Sequence, residues 1–120
     1  MTLHDADQGT PPPDAVGVRP RTEVEAALHA LEAEAAAPHR QTQIGRGALA
    51  GYVWALGSAQ TTPVTGDPSS AAPDGDQITA ELAAAENQLA DPVRRDIPRE
   101  YVQGVWDALA WVSGRSDERA

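Results

Sequence analysis

The sequence predicts an all-α fold: two tandem helical hairpins forming a pseudo-twofold four-helix bundle, with a disordered N-terminal tail and a disordered central linker. Three observations predict it. Alanine, the strongest helix former, fills 23 of 120 positions. Apolar residues recur at helical spacing in four runs separated by Pro- and Gly-rich breaks. The run "GALAGYVWALG" at 47–57 is also echoed by "GVWDALAWVSG" at 104–114.

Residues 1–20 are rich in Pro, Gly and Asp without periodicity and read as a mobile tail. The first hairpin occupies 21–57. Its first helix starts at Thr22, where Thr22-Glu23-Val24-Glu25 has capping-box spacing, and ends near Ala37 because Pro38 disfavours helix in the residue before it. The second helix runs from about Thr42 to Leu56, with Gly57 as a left-handed cap. Residues 58–75 hold three prolines and two glycines and read as a flexible linker. The second hairpin occupies 76–114: a helix from about Gln77 to Ala90 with Asp76 as N-cap, closed by Pro92, then one from Pro98 to about Ser113 with Gly114 as cap. Residues 115–120 are expected to be a disordered C-terminus.

The two halves correspond. At an offset of 54, Val24, Leu28, Leu31 and Ala35 fall on Ile78, Leu82, Ala85 and Leu89. At an offset of 57, Gly47 falls on Gly104, Trp54 on Trp111 and Gly57 on Gly114, while a competing offset of 53 pairs Gly51 with Gly104. Gly47, Gly51 and Trp54 lie at i, i+4 and i+7 on one stripe, and Gly104, Ala108 and Trp111 occupy the same positions on another. A mid-helix glycine costs about 1 kcal/mol relative to alanine. Close crossing of two helices at the bare positions, roofed by an indole from each, would offset that cost. Trp106 falls off the Gly104 stripe and is either a core residue or an exposed anchor for a partner.

Composition limits the function. Leu, Ile and Val together number only 20, Phe is absent and the formal net charge is −9, so a small core and some unfolded chain are expected. The absence of Cys excludes disulfides, thiolate zinc sites and thiol nucleophiles. A pI near 4.5, with no lysine and nine scattered arginines, opposes direct binding to nucleic acid. No segment approaches the roughly 18 apolar residues of a membrane span, so a cytoplasmic chain away from membranes is expected.

Chemistry-bearing patterns are sparse. Glu25, His29 and Glu32 share a helix face at i, i+4 and i+7, the spacing of helical metal ligands, but the second half offers Thr79, Ala83 and Glu86 in their place. A solvated charged face is the simpler reading, and neither a metal nor another cofactor is expected. "PVRRDIPRE" at 92–100 reads as a solvated turn in which arginines and acids pair locally. No P-loop, G-x-G-x-x-G or G-x-S-x-G run occurs, and no catalytic residue is assigned.

Across "REYVQGVWDALAWVSG", Tyr101, Gly104, Ala108, Leu109, Trp111 and Gly114 form an aromatic, Gly, Ala-Leu-x-Trp, Gly pattern. The stretch resembles small, alanine-rich, uncharacterised helical proteins of actinobacteria, their phages and mobile elements. The resemblance spans about 20 residues and implies origin and helical character, with no catalytic residue. The expected function is a non-catalytic helical interaction module that binds a protein partner or itself, with a homo-oligomer as one outcome. Its binding or crossing residues are Gly47, Gly51, Trp54, Gly104, Trp106, Ala108 and Trp111. The alternatives are an acidic regulator that mimics phosphates toward a nucleic-acid enzyme and a metal-dependent enzyme.

Overall fold

The computed structural model describes residues 15–35, 42–69, 71–91 and 98–118. In chain order these form β1 (Ala15–Val16), β2 (Arg19–Pro20), α1 (Arg21–Ala35), α2 (Gln43–Ala55), α3 (Gly75–Ala90) and α4 (Arg99–Val112). The protein is mostly helical. Helices α2 and α4 make the principal pair, α1 packs on α2, and α3 packs on α4. Their shared core holds Val24, Tyr52, Trp54, Ile78, Leu82, Val102, Val105 and Leu109.

Local chemistry explains the helix ends and moves two of the expected starts. Helix α1 begins at Arg21, directly after β2, so Thr22 lies within its first turn and Glu25 faces the Arg21 guanidinium at 3.7 Å instead of closing a capping box. Its expected last two residues, 36 and 37, lie outside the described residues, as does Pro38. Thr42 caps α2, its hydroxyl accepting from the Gly45 amide at 2.9 Å. Helix α3 starts two residues before the expected Gln77, and its N-cap is Asp74 rather than Asp76. The reason is reciprocity: the Gln77 amide donates to Asp74 Oδ1 at 2.8 Å, while Gln77 Oε1 accepts from the Asp74 amide at 2.9 Å. Asp76 would have Thr79 at the corresponding position, which cannot reach back in this way. Pro92 lies outside the described residues. Pro98 immediately precedes α4. Gly57 and Gly114 both take positive φ, 87° and 84°, just beyond α2 and α4.

Three segments expected to lack structure are ordered where they are described. Residues 15–20 of the expected tail form an antiparallel hairpin pairing Ala15 with Pro20 and Val16 with Arg19; residues 1–14 lie outside the described residues. The hairpin closes the C-terminal end of α4. The Val18 amide donates to Val112 O at 2.9 Å, and Arg19 donates to Trp111 O and Ser116 O, each at 2.8 Å. Arg21 does the same for α2, donating to Leu56 O at 3.2 Å. Cations at helix C-termini satisfy carbonyls left without intrahelical partners and complement the helix dipole. Arg19→Ala is therefore expected to lower stability by about 2 kcal/mol, read from urea unfolding, with amide exchange of Val18 accelerating ahead of the helices.

The expected linker, 58–75, is likewise a folded loop in its described part. Thr61 bridges to Pro68, the Thr62 amide donates to Asp67 O at 2.8 Å, and the Ser69 amide donates to Gln60 O at 2.9 Å. Turn-forming residues specified a compact turn here because a side chain from α3, Glu81, holds it. At the C-terminus, the Arg115 amide donates to Ala110 O at 2.8 Å and the Ser116 amide to the same oxygen at 3.1 Å, so 115–118 continue the structure. Residues 119–120 lie outside the described residues.

Candidate functional site

Two places gather the residues singled out by the sequence: the crossing of α2 and α4, and the outer seam between α3 and α4.

At the crossing, the contacts are reciprocal. A Cβ on Gly47 would overlap the Tyr101 carbonyl and sit 3.0 Å from the Val105 amide nitrogen. A Cβ on Gly104 would overlap the Ile44 carbonyl and sit 2.8 Å from the Ala48 amide nitrogen. Adding 57 to Ile44, Gly47 and Ala48 gives Tyr101, Gly104 and Val105, so each glycine meets the equivalents of the residues met by the other. Gly51 faces Ala108, again 57 positions on, with its Cβ position 3.0 Å from the Ala108 methyl. Side-chain bulk is absent where two backbones run against each other, which sets the interaxial distance below that available to larger residues.

The tryptophans take different surroundings. Trp54 is 2% exposed and donates its indole N–H to Ser69 Oγ at 3.2 Å, turning toward the loop. Trp111, 6% exposed, meets the Tyr52 ring edge-on at a centroid distance of 6.0 Å and lies beneath the Arg19 guanidinium at 4.8 Å. The aromatic partner of Trp111 is thus Tyr52, which the stripe pattern did not single out. Gly47, Gly51, Trp54, Gly104, Ala108 and Trp111 are all buried within one chain.

Trp106 is different: it is half-buried at the α3–α4 seam. Its indole N–H donates to Glu86 Oε2 at 3.0 Å, Arg115 bonds the same oxygen at 2.9 Å, and the Arg115 guanidinium stands 5.8 Å from the indole ring. Glu86, Leu89, Ala90, Gln103 and Trp106 line a shallow surface depression. The indole hydrogen bond is the largest influence on the Glu86 carboxyl; desolvation, the next largest, opposes it, and the Arg115 hydrogen bond and then the Arg115 charge add to it, so the group is held below the usual carboxylate range. A depressed folded-state value contributes stability above the unfolded value and loses it as pH falls through the folded one. The melting-temperature difference between the protein and Glu86→Gln is therefore expected at neutral pH and should vanish under acid conditions below that window. Because the triad is solvent-exposed, the difference should also shrink with salt.

Tyr101 has the opposite displacement: burial first, and the Glu81 charge second, push its phenol above 10.0. Its contribution is present below that value and lost as pH rises through the raised one.

Among the described residues no three His, Cys, Asp or Glu side chains come together as a metal site, and no helix is long and apolar enough to cross a membrane. His29 and Glu32 are exposed on α1. Sequence reasoning treats Glu81 as an isolated acid and gives it no role. It stands on the buried stripe of α3 beside Ile78, Leu82 and Ala85, is 3% exposed, and accepts from the Val64 amide at 2.6 Å, the Thr65 amide at 3.2 Å and the Thr65 hydroxyl at 2.8 Å. A carboxylate at an apolar position was the available signal. No family model, curated protein or solved structure matches this chain.

Proposed function

We propose that the chain is a non-catalytic helical interaction module, working in the cytoplasm, whose partner is a protein or a second copy of itself. The observation that carries this reading is Trp106: a half-exposed indole whose orientation is set by Glu86 and Arg115, next to Leu89 and Ala90. An amphipathic aromatic held in one geometry loses little conformational entropy on docking, which is why such residues dominate binding energy at interfaces. The Gly and Trp stripes are occupied within the chain, so the contact surface reduces to the α3–α4 seam. The reciprocal glycine contacts support a pseudo-twofold four-helix bundle as the rigid carrier of that surface, with α2 and α4 at its centre.

Direct nucleic-acid binding does not fit a chain of net charge −9. Acids paired with arginines, as in Glu86 with Arg115 and Glu25 with Arg21, favour solubility over an uninterrupted phosphate-like face.

The test combines light scattering with capture from native lysate, comparing the protein with Trp106→Ala. The proposal expects concentration-dependent self-association or a captured protein, either of them lost in the variant. A strict monomer that captures nothing, or a variant that behaves as the parent does, would overturn it.

A further inference from the structure

The loop, Trp54 of α2 and the first two turns of α3 line an open pocket of about 390 Å³. Its polar lining includes Glu81, Asp67, Thr62 and Ser69, and its apolar wall is made by Trp54 and Ala80. Two carboxylates and several hydroxyls line it, and among the described residues no cationic side chain does. The chain contains no lysine. Arg19 and Arg21 are engaged at helix C-termini, Arg99 at Leu89 O and Arg115 at Glu86.

Glu81 is the informative residue. Its side chain is buried, yet the described residues do not exhaust its acceptors: among them Oε2 takes the two loop amides, while Oε1 takes the Thr65 hydroxyl alone. A carboxylate offers about four acceptor positions. Asp67 adds a second carboxylate; among the described residues the loop's hydrogen bonds use its backbone carbonyl and amide and not its side chain. The pocket therefore combines an apolar wall, neutral hydroxyls and two carboxylates with no cation beside them among the described residues.

We infer that this pocket binds a primary ammonium group carried on a short aliphatic stem. An ammonium brings three donors and no acceptor, which matches a set made of Glu81, Asp67 and a hydroxyl oxygen, while the stem lies along Trp54 and Ala80. The inference is independent of the Trp106 surface, which lies at the α3–α4 seam. The group could come from a free amine or from a lysine side chain of another protein, and the chemistry recognised is the same.

The experiment titrates the full chain with butylammonium chloride and follows the Trp54 indole N–H and the Val64 and Thr65 amides by nitrogen-15 NMR. Saturable shifts in the millimolar range are expected, weakened about tenfold in Asp67→Asn through loss of one charge-assisted hydrogen bond and further still in Glu81→Gln. Asp67→Asn decides the matter if Glu81→Gln loosens the loop. A blocked Gly-Lys-Gly peptide run in parallel separates the sources: tighter binding than butylammonium assigns a protein side chain, weaker binding a free amine. Equal shifts from butanol or from sodium chloride at the same concentration, no saturation, or an Asp67→Asn variant that binds as the parent does would overturn the inference.

Discussion

Gly104→Ala is expected to destabilise the protein by about 2–3 kcal/mol, although the same change in an isolated helix would favour folding by about 1 kcal/mol. The new methyl group meets main chain, the Ile44 carbonyl and the Ala48 amide, and neither can turn aside as a flexible side chain would. Relief requires α2 and α4 to separate, and that withdraws contacts from Val105, Leu109 and Tyr52 together. Gly47→Ala should cost a similar amount for the reciprocal reason. The double variant should cost less than the sum of the two, because helices already pushed apart by one methyl accommodate the second. Gly75→Ala is the control: nothing lies within 4 Å of its Cβ position at the start of α3, so it should raise stability slightly. Urea unfolding of the parent and the four variants measures all of these differences.

Glu81→Ala is expected to cost about 2–3 kcal/mol and to open the loop before the helices melt. The substitution strips the acceptor from the Val64 and Thr65 amides, and Val64 is only 5% exposed, so its amide cannot simply rehydrate while the loop stays in place. Amide exchange at Val64 should accelerate strongly while α2 and α4 keep their protection, and the Trp54 indole, bonded to Ser69 in the same loop, should change its emission. Glu81→Gln keeps one carbonyl oxygen as an acceptor and should lose about half as much. Equal exchange at Val64 in the protein and in Glu81→Ala would remove Glu81 as the element that holds the loop.

The helices were legible because the period of their apolar residues and the Pro and Gly residues at their ends depend on local geometry alone. Even there, Asp74 displaced Asp76 as the cap of α3 because a cap is decided by two side chains acting together, Asp74 and Gln77. The meeting of α2 and α4 was legible in the unusual cost of Gly47 and Gly104 within helices. What the indoles face was not, since Trp54 turns to Ser69 and Trp111 to Tyr52 and Arg19, partners distant in sequence or absent from the stripe. The N-terminal hairpin escaped notice because two-residue strands carry no periodicity, and its anchorage comes from carbonyls at the far end of the chain. The ordered loop escaped for a related reason. Its own residues look like a spacer, and the side chain that holds it, Glu81, belongs to the following helix.

The most direct test of the reciprocal crossing is the nuclear Overhauser spectrum of the folded chain. A cross-peak from Gly47 Hα to the Val105 amide and its counterpart from Gly104 Hα to the Ala48 amide should both be strong. Absence of the pair, or a contact joining Gly51 to Gly104 in their place, would contradict the crossing and the symmetric bundle proposed from it.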